Sequence, residues 1–459
     1  MSAIITLSLL AILLLYLGLF KAGRSLLPIS LLGLAAALVM YVMQWAGDAT
    51  PIYSGMVLFD HYAIAFSVLC ILVTMLVMLL SKGYFDAASV HVAEYYALIL
   101  FSLTGALLVT SFHNLAMLFI GIEIMSVALY ILAGIRKKDF ASNEAALKYF
   151  LMGAFSTGFL LFGITLLYGA SGSFDLAAIK AYVIANPQGV SPLFYAGILL
   201  LIVGLAFKVG AAPFHFWTPD VYDGAPILIT TFMSTVVKTA AFAGFLRLFY
   251  FCFIPLHDFW EPVLLVITII TLFIGNITAI AQQSFKRMLA YSSISHAGYM
   301  LFAIVAIGPA AASSVLVYAG AYSLASVVAF GILILVKRAT GSDHFEAFNG
   351  LARKNPYLSA ALTIAMLSLA GIPLTAGFIG KFMMFSSALA DYQVLLVVLA
   401  AINAAMGIFY YFRVIVSMYF KPADRDEVTM TAQYQAAIWV AVLLTVVLGV
   451  YPTLLAGLI

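Results

Sequence analysis

Six ionisable side chains lie inside long apolar stretches of this sequence: Glu123, Lys148, Lys208, Lys238, His296 and Lys381. A charged side chain near the centre of a bilayer costs at least ~2.5–3.5 kcal/mol, so such residues are usually functional. Burial brings the pKa of a lysine towards neutrality, where it can take up and release protons. One acid with several spaced lysines therefore predicts a proton relay. A sodium or solute cage would need several oxygen ligands instead.

Structural roles are the alternatives for several of these residues. Lys148 lies about one turn into its apolar run, from where its amine can reach the membrane interface. Glu123 and Lys208 can form an ion pair that joins two helices, and His296 can be a hydrogen-bonded core residue. At ~4 Å and an effective dielectric of ~20, an acid and a lysine attract by about 4 kcal/mol. Opening or closing the Glu123–Lys208 pair would therefore be enough to load or release a proton.

The composition indicates the kind of molecule that holds these charges. The chain has 459 residues, of which 65% are hydrophobic and only 8% charged, against about 25% charged residues in soluble domains. Apolar runs of about 20 residues, the length that crosses a bilayer, recur throughout. We therefore predict an all-α, multi-pass membrane protein that contacts the lipid bilayer and does not bind nucleic acid. The two cysteines have no metal or disulfide spacing.

The apolar runs predict fourteen transmembrane helices. Their expected ranges are 3–20, 25–46, 61–81, 95–112, 115–134, 144–169, 193–213, 226–249, 259–281, 287–307, 311–336, 357–390, 392–413 and 433–457. The twelfth contains "GIPLTAG" and is expected to form two pieces. The first has no basic segment before it, which favours a retained span over a cleaved signal peptide. The segment 338–356 is expected to contain a short surface helix.

The distribution of basic residues sets the predicted orientation. Fifteen of the 21 lysines and arginines fall in loops on one side, two on the other, and four inside spans. The fifteen are Lys21, Arg24, Lys82, Arg136, Lys137, Lys138, Lys286, Arg287, Lys337, Arg338, Arg353, Lys354, Arg413, Lys421 and Arg425. Cytoplasmic loops carry the excess of positive charge. Both termini are therefore expected on the periplasmic side.

The spacing of the lysines suggests an internal repeat. Lys208 in "FKVGAAP" and Lys381 in "GIPLTAGFIGK" each lie beside a Pro/Gly break and are 173 residues apart, and the same offset carries Glu123 to His296. The offset equals five spans, an odd number, so the second unit is inverted. Inverted repeats with broken helices are typical of transporters, and irregular backbone inside a membrane is tolerated where it lines a cavity. We expect discontinuous helices 7 and 12, each beside a hydrated half-channel.

The repeat defines the predicted domains and adds two supporting residues. The expected units are an N-terminal three-helix segment (1–94), a first five-helix repeat with the input half-channel (95–249), an inverted second repeat with the output half-channel (259–420), and a C-terminal helix (433–459). The offset also carries Lys238 to Tyr411 and Lys148 to Ala321, beside Tyr322. Tyr322 and Tyr411 are therefore predicted to support the relay.

Long motifs in this chain resemble those of the antiporter-like membrane subunits of respiratory complex I, the NADH:quinone oxidoreductase. They are "GLAFKVGAAPFHFWTPDVYDGAP", "RMLAYSSISHAGYM" and "GIPLTAGFIGKF", and the likeness covers nearly the whole chain. Within that family, Lys381 at the twelfth-span position argues against the M-type, which typically carries glutamate there. The lack of a long lateral-helix extension argues against the L-type. The resemblance therefore favours the bacterial N-type.

The resemblance implies roles for the six residues. Glu123 and Lys208 look like the pair at the input half-channel, modulated by Lys148. Lys238 looks like the connecting lysine, His296 the central relay and Lys381 the terminal group. The resemblance further implies a non-redox subunit of the bacterial inner membrane, placed between the K-type and M-type subunits. Flavin, iron–sulfur clusters, NADH and quinone would be bound by other subunits, with no cofactor or metal in this chain.

Two other functions remain open from the sequence alone. A subunit of a multi-subunit sodium/proton antiporter shares much of the motif set. A secondary transporter of a small solute is the other, although few polar residues besides the proton-active ones lie in the spans. A co-purifying arm that oxidises NADH would favour the complex I assignment.

Overall fold

The computed structural model describes residues 1–20, 23–47, 49–82, 84–85, 91–306, 308, 310–390, 394–422 and 427–459. Lys21, Arg425 and the side chain of Arg24, all used above to predict the orientation, lie outside this description. Within the described residues the chain is helical, and backbone pairing outside the helices is limited to isolated bridges.

The described helices follow one another along the whole chain. In order they are α1 (Ser2–Leu19), α2 (Gly23–Gln44), α3 (His61–Leu80), α4 (Val92–Ser111), α5 (Leu115–Ala133), α6 (Phe140–Ser171), α7 (Leu176–Ala185), α8 (Pro192–Val209), α9 (Trp217–Gly224), α10 (Ile227–Phe232), α11 (Lys238–Leu246), α12 (His257–Ile280), α13 (Phe285–Val305), α14 (Ala311–Thr340), α15 (Leu351–Lys354), α16 (Pro356–Ala370), α17 (Ala376–Ala390), α18 (Val394–Phe420), α19 (Ala432–Val450) and α20 (Thr453–Ala456).

The prediction of a many-helix membrane protein is confirmed. Thirteen described helical segments are long and apolar enough to cross a membrane. The shorter apolar helices α16 and α17 occupy the place of the predicted twelfth span, which gives fourteen. The segment between the sixth and seventh predicted spans contains the helix α7. In 338–356 the short helix α15 is present, preceded by a 3-10 turn whose Phe345 and Phe348 are buried against Phe285.

Both predicted breaks are present and end their first helix in the same way. α8 stops at Gly210, which has a φ of 74°, and α16 stops at Gly371, with a φ of 85°. A left-handed glycine followed by proline is a common helix stop, because glycine lacks the Cβ that disfavours this conformation. Pro213 and Pro373 follow within three residues. The chain then resumes as α9 and α17.

The two halves share a packing pattern whose register differs from the predicted offset. α5 and α13 begin at 115 and 285, 170 residues apart, and each first residue donates its amide to a loop carbonyl at 2.8 Å, that of Phe174 and that of Asp343. Gly105 packs on the backbone of Met125 and Gly275 on that of Ser295, again 170 apart. Glu123 thus corresponds to Ser293, and His296 to Ser126.

The register changes again at the breaks. Gly210 and Gly371 are 161 residues apart, so Lys208 precedes the first break while Lys381 follows the second. Connections of unequal length change the offset along the chain, and a single offset of 173 therefore matched residues at different places in the two units.

The eighth span lies at the centre of the molecule. α10 and α11 are joined by a π-helical turn, Met233–Val237, and a second π turn follows at Arg247–Cys252. The most apolar 18 residues of this span, and those of α14, are all buried. π turns occur frequently at functional sites, and the first one ends where Lys238 begins α11.

Candidate proton pathway

Lys208 is held in the last turn of α8, immediately before the first break. Its side chain is 5% exposed. Nζ donates a hydrogen bond to Ser126 Oγ on α5 and lies 6.0 Å from the ring centre of Tyr149. The carboxyl-terminal end of a helix carries partial negative charge, which favours a cation there. Within the described residues no carboxylate oxygen lies within 4.0 Å of this ammonium.

Glu123 is half-buried on α5, one turn before Ser126. Its Oε1 is buried and has no hydrogen-bond partner in the described part of the chain. The direct Glu123–Lys208 ion pair expected from the sequence is therefore not formed, because Lys208 reaches the hydroxyl one turn further along the helix. Residues three apart on a helix share a face, so the free carboxylate remains next to the group that binds the lysine.

An aromatic wall surrounds Lys208 on its other side. Tyr149 stacks on Trp217 with ring centres 4.8 Å apart, and Tyr130 meets Tyr149 edge-on at 4.8 Å. Trp217 donates to the carbonyl of Phe207 at 3.0 Å and so fixes α9 against the end of α8. These contacts pack aromatic rings against the first break.

Lys148 does not join the buried residues. It is 40% exposed, and its Nζ lies 2.8 Å from Glu144 and 2.7 Å from Asp220, which also pairs with Arg287 at 3.2 Å. These groups line a cavity of about 700 Å³ between α6, α9, α13 and α14. Lys148 therefore lies at an open cavity, apart from the buried residues.

Lys238 lies at the end of the first π turn and is 3% exposed. Nζ donates to the carbonyl of Ser293 on α13 at 2.6 Å and also to the hydroxyl of the same residue. The ammonium lies 5.8 Å from the ring centre of Tyr322 on α14. These neutral acceptors hold the lysine, and no carboxylate oxygen of the described residues lies within 4.0 Å of its ammonium.

His296 is fully enclosed between α13, α14 and α18. Its Nδ1 lies 2.5 Å from Tyr318 Oη and its Nε2 lies 2.9 Å from Tyr411 Oη. Tyr411 also bonds to Ser292. One ring nitrogen of a neutral histidine donates and the other accepts, so this ring can exchange a proton between two hydroxyls on different helices.

Lys381 reaches from α17 back to the end of α16. Its Nζ donates to the carbonyls of Leu369 at 3.1 Å and Ala370 at 3.0 Å, the last residues of that half-helix. It is 6% exposed and lies 4.7 Å from the ring centre of Tyr299. The negative end of the α16 dipole stabilises this cation.

These contacts join three of the predicted residues into one row. Lys238 contacts Tyr322, whose ring centre is 4.8 Å from that of His296. The ring centre of His296 in turn lies 6.1 Å from that of Tyr299, and the ring of Tyr299 contacts the ammonium of Lys381. We call these three residues, Lys238, His296 and Lys381, together with the similarly buried Lys208, the buried row.

Sequence reasoning missed the hydroxyl groups that bind these residues. Ser126, Ser293 and Tyr318 are not predicted from the sequence to bind these residues, and Lys286 is predicted in a loop. One signal was available: the polar run "YSSISH" lies inside an apolar span, with Ser293 and His296 three residues apart. Ser126 lies three residues after Glu123 in its span, which is the same spacing without a polar run around it. No group of three or more metal-binding side chains lies in the described residues.

Comparisons with known proteins give a consistent result. A family described as "NADH:quinone oxidoreductase/Mrp antiporter, TM" matches residues 112–407. NADH-quinone oxidoreductase subunit N of Cytophaga hutchinsonii is 40% identical over 99% of this chain and 98% of that protein. A chain of respiratory complex I from Thermus thermophilus is 34% identical, covers 99% of this chain and 98% of its own, and superposes with a TM-score of 0.83. A chain of the Mrp complex from Dietzia sp. shares the fold with a TM-score of 0.87 at 18% identity, covering 100% of this chain and 95% of its own.

Proposed function

This chain belongs to the NADH:quinone oxidoreductase/Mrp antiporter family of membrane subunits, and we propose that it is the N-type subunit of a bacterial NADH:quinone oxidoreductase that relays protons. The buried row is the observation that carries the proposal. Each unpaired buried lysine costs about 2.5 kcal/mol or more in a membrane. A scaffold would not retain three of them, two of which, Lys238 and Lys381, are joined to His296 through the rings of Tyr322 and Tyr299.

Each residue has a distinct part in the proposed relay. Lys208 carries a proton and donates a hydrogen bond to Ser126, beside the free carboxylate of Glu123. Movement of the Lys208 or Glu123 side chain brings the two charges together or apart. Lys148 adjusts this end through Asp220 on α9. Lys238 passes the proton to His296 through its hydroxyl neighbours, and Lys381 accepts it at the second break, where the carbonyls of α16 stabilise the charge.

The remaining features concern the whole complex. We propose that electrons pass from NADH to quinone in other subunits, which bind the flavin and the iron–sulfur clusters, and that this chain contributes no redox group. Its neighbours would be the K-type and M-type membrane subunits. Its location would be the bacterial inner membrane with both termini periplasmic, in keeping with the basic loops on the opposite side.

Replacing Lys208 or Lys381 by alanine in the assembled complex tests the relay. NADH-driven quinone reduction and acidification of inverted membrane vesicles are measured together, and both are expected to fall because proton transfer through this chain limits turnover. Lys354→Ala removes an exposed lysine from α15 and serves as the matched control. NADH:ferricyanide reduction, which needs no quinone, reports whether the complex has assembled. Wild-type turnover and pumping in both buried variants would exclude the relay.

A subunit of a sodium/proton antiporter is the second candidate, supported by the fold shared with the Mrp chain. Purification of the chain with its natural partners separates the two. An NADH-oxidising arm in the purified complex favours the first function. Its absence, with sodium-dependent proton exchange in vesicles, favours the second.

A further inference from the structure

Lys286, the second residue of α13, is buried although the sequence places it among the basic loop residues. It is 3% exposed. Its Nζ donates to the carbonyl of Asp223 at 2.5 Å and to that of Ala225 at 2.6 Å. Both carbonyls lie at the end of α9, the second half of the first broken helix. Lys286 thus closes one half-helix as Lys381 closes another.

The ammonium of Lys286 is only partly satisfied by these contacts. An ammonium has three donors, and two are used. No carboxylate oxygen of the described residues lies within 4.0 Å of it. The charged groups that act on it are Asp223 on α9, Lys337 on α14, Asp343 after α14 and Arg136 after α5. Two of these attract the cation and two repel it, so the structure leaves its charge without a dedicated partner.

Lys286 is adjacent to residues that line the cavity of about 700 Å³ around Lys148 and Asp220, which we call the charged cavity. The cavity is lined by Asp223 and Gly224, next to the carbonyls that hold the amine, and by Ser284 and Arg287, its neighbours in sequence. The cavity also contains Lys148 and Asp220. The positive-inside distribution predicts that this face is cytoplasmic, where water would fill the open cavity next to the amine.

The face of α13 that carries Lys286 leads, further along the helix, to the buried row. Ser293, which binds Lys238, follows Lys286 by seven residues, two helical turns, and so lies on the same face about 10 Å further in. Tyr222, two residues before the end of α9, is buried and faces Ser293. Hydroxyl groups therefore occupy the space between the cavity and Lys238.

We propose that Lys286 is the residue through which protons pass from the cavity to Lys238. In this step the ammonium of Lys286 releases one proton along the hydroxyls of Tyr222 and Ser293 to the neutral amine of Lys238. The neutral Lys286 amine then takes one proton from the water of the cavity. This inference rests on the proposed proton relay and adds its point of uptake.

Three substitutions of Lys286 separate proton transfer from simple capping of α9. Lys286→Met removes both functions. Lys286→Arg keeps a cation and its donors but does not deprotonate. Lys286→His can carry a proton, with a reference pKa of about 6.5 instead of about 10.4. Lys354→Met, the same loss of charge on exposed α15, is the matched control.

The assembled complex is assayed for NADH-driven proton pumping between pH 5.5 and 9, with NADH:ferricyanide reduction as the measure of assembly. We expect pumping by the Met and Arg variants to fall about a hundredfold or more, because a positioned acid–base group typically contributes about 10²–10⁴-fold. The His variant is expected to pump only towards the acid end of the range. Lys354→Met is expected to behave as wild type.

Several results would overturn the proposal. Wild-type pumping by Lys286→Arg, or a wild-type pH profile in Lys286→His, would leave only a capping role. Failure of all three variants to assemble would likewise assign Lys286 to the folding of α9. Lys208→Ala is measured in parallel: if it abolishes pumping while the Lys286 variants do not, only this inference fails. If neither matters, the proposed relay fails as well.

Discussion

Lys381 on α17 closes the end of α16, with its Nζ 3.0 Å from the carbonyl oxygen of Ala370. The ammonium bridges the two pieces of one broken helix and so depends on the geometry of the break between them. Protonation at this site and the shape of the break are therefore coupled, and several consequences can be measured.

Replacing Gly371 by alanine is expected to disturb Lys381 directly. Gly371 has a φ of 85°, and an added Cβ would lie 2.9 Å from Lys381 Cδ. Gly341→Ala is the matched control, because Gly341 has a φ of 74° with nothing within 4 Å of an added Cβ. Both variants should lose roughly 1 kcal/mol or more of stability through backbone strain, measured by thermal unfolding. Only Gly371→Ala should impair proton pumping; equal pumping in the two would contradict the coupling.

Replacing Ser126 by alanine removes the hydroxyl that accepts the hydrogen bond of Lys208. A buried charged group that loses its partner costs about 1–3 kcal/mol or more. Pumping is expected to fall while NADH:ferricyanide reduction is retained. Ser126→Thr keeps the hydroxyl and should preserve most of the activity. Equal behaviour of the two variants would show that the hydroxyl is not needed.

Removing one hydroxyl at a time tests the two hydrogen bonds of His296. Tyr318→Phe and Tyr411→Phe keep the rings but delete the oxygens at 2.5 and 2.9 Å from the imidazole. We expect slower pumping in each, because the ring then has one proton partner fewer. Tyr168→Phe, at a 44% exposed tyrosine outside the buried row, is the control. A normal pumping rate in both buried variants would remove His296 from the relay.

The ionisation of Asp220 predicts how the cavity responds to acid. Burial raises the pKa of this carboxyl, but its bonds and ion pairs with Lys148 and Arg287 outweigh burial and hold the pKa below its ordinary value. A group with a lowered folded pKa contributes stability above its unfolded pKa, about 3.9, and loses it as the pH falls through the folded value.

Thermal unfolding measured between pH 3 and 7 checks this expectation. The wild-type complex should lose the contribution of Asp220 only below about pH 4. Asp220→Asn should lack it already at pH 7, so its difference from wild type should shrink in acid. Asp258→Asn, at a fully exposed carboxylate, should unfold like the wild type at every pH in this range. A pH-independent difference for Asp220→Asn would mean that its charge is not what stabilises the cavity.

The predicted orientation can be tested with fusions after Ile459. Alkaline phosphatase is active only after export. Green fluorescent protein fluoresces in the cytoplasm but not after export by the general secretory route. A periplasmic C-terminus predicts an active phosphatase fusion and a dark fluorescent fusion. The reverse pattern would invert the assignment of the charged cavity to the cytoplasmic side.

The sequence alone predicts the membrane-spanning character, the number of spans and the two broken helices. Apolar length, the scarcity of charges and the Gly–Pro stops are local properties, and each acts within one helix. The chemical nature of the buried row followed for the same reason, because a lysine inside an apolar run is visible without a partner.

The partners of each charged side chain, in contrast, follow from how the helices pack against one another. Lys208 binds Ser126 instead of Glu123, Lys148 lies in an open cavity, and Lys286 is buried beneath it. These outcomes depend on which faces of separate helices meet, and loops of unequal length shift that register by several residues. When one helix is shifted by one turn against another, a lysine meets a hydroxyl instead of a carboxylate. Residue spacing along the sequence does not predict this shift.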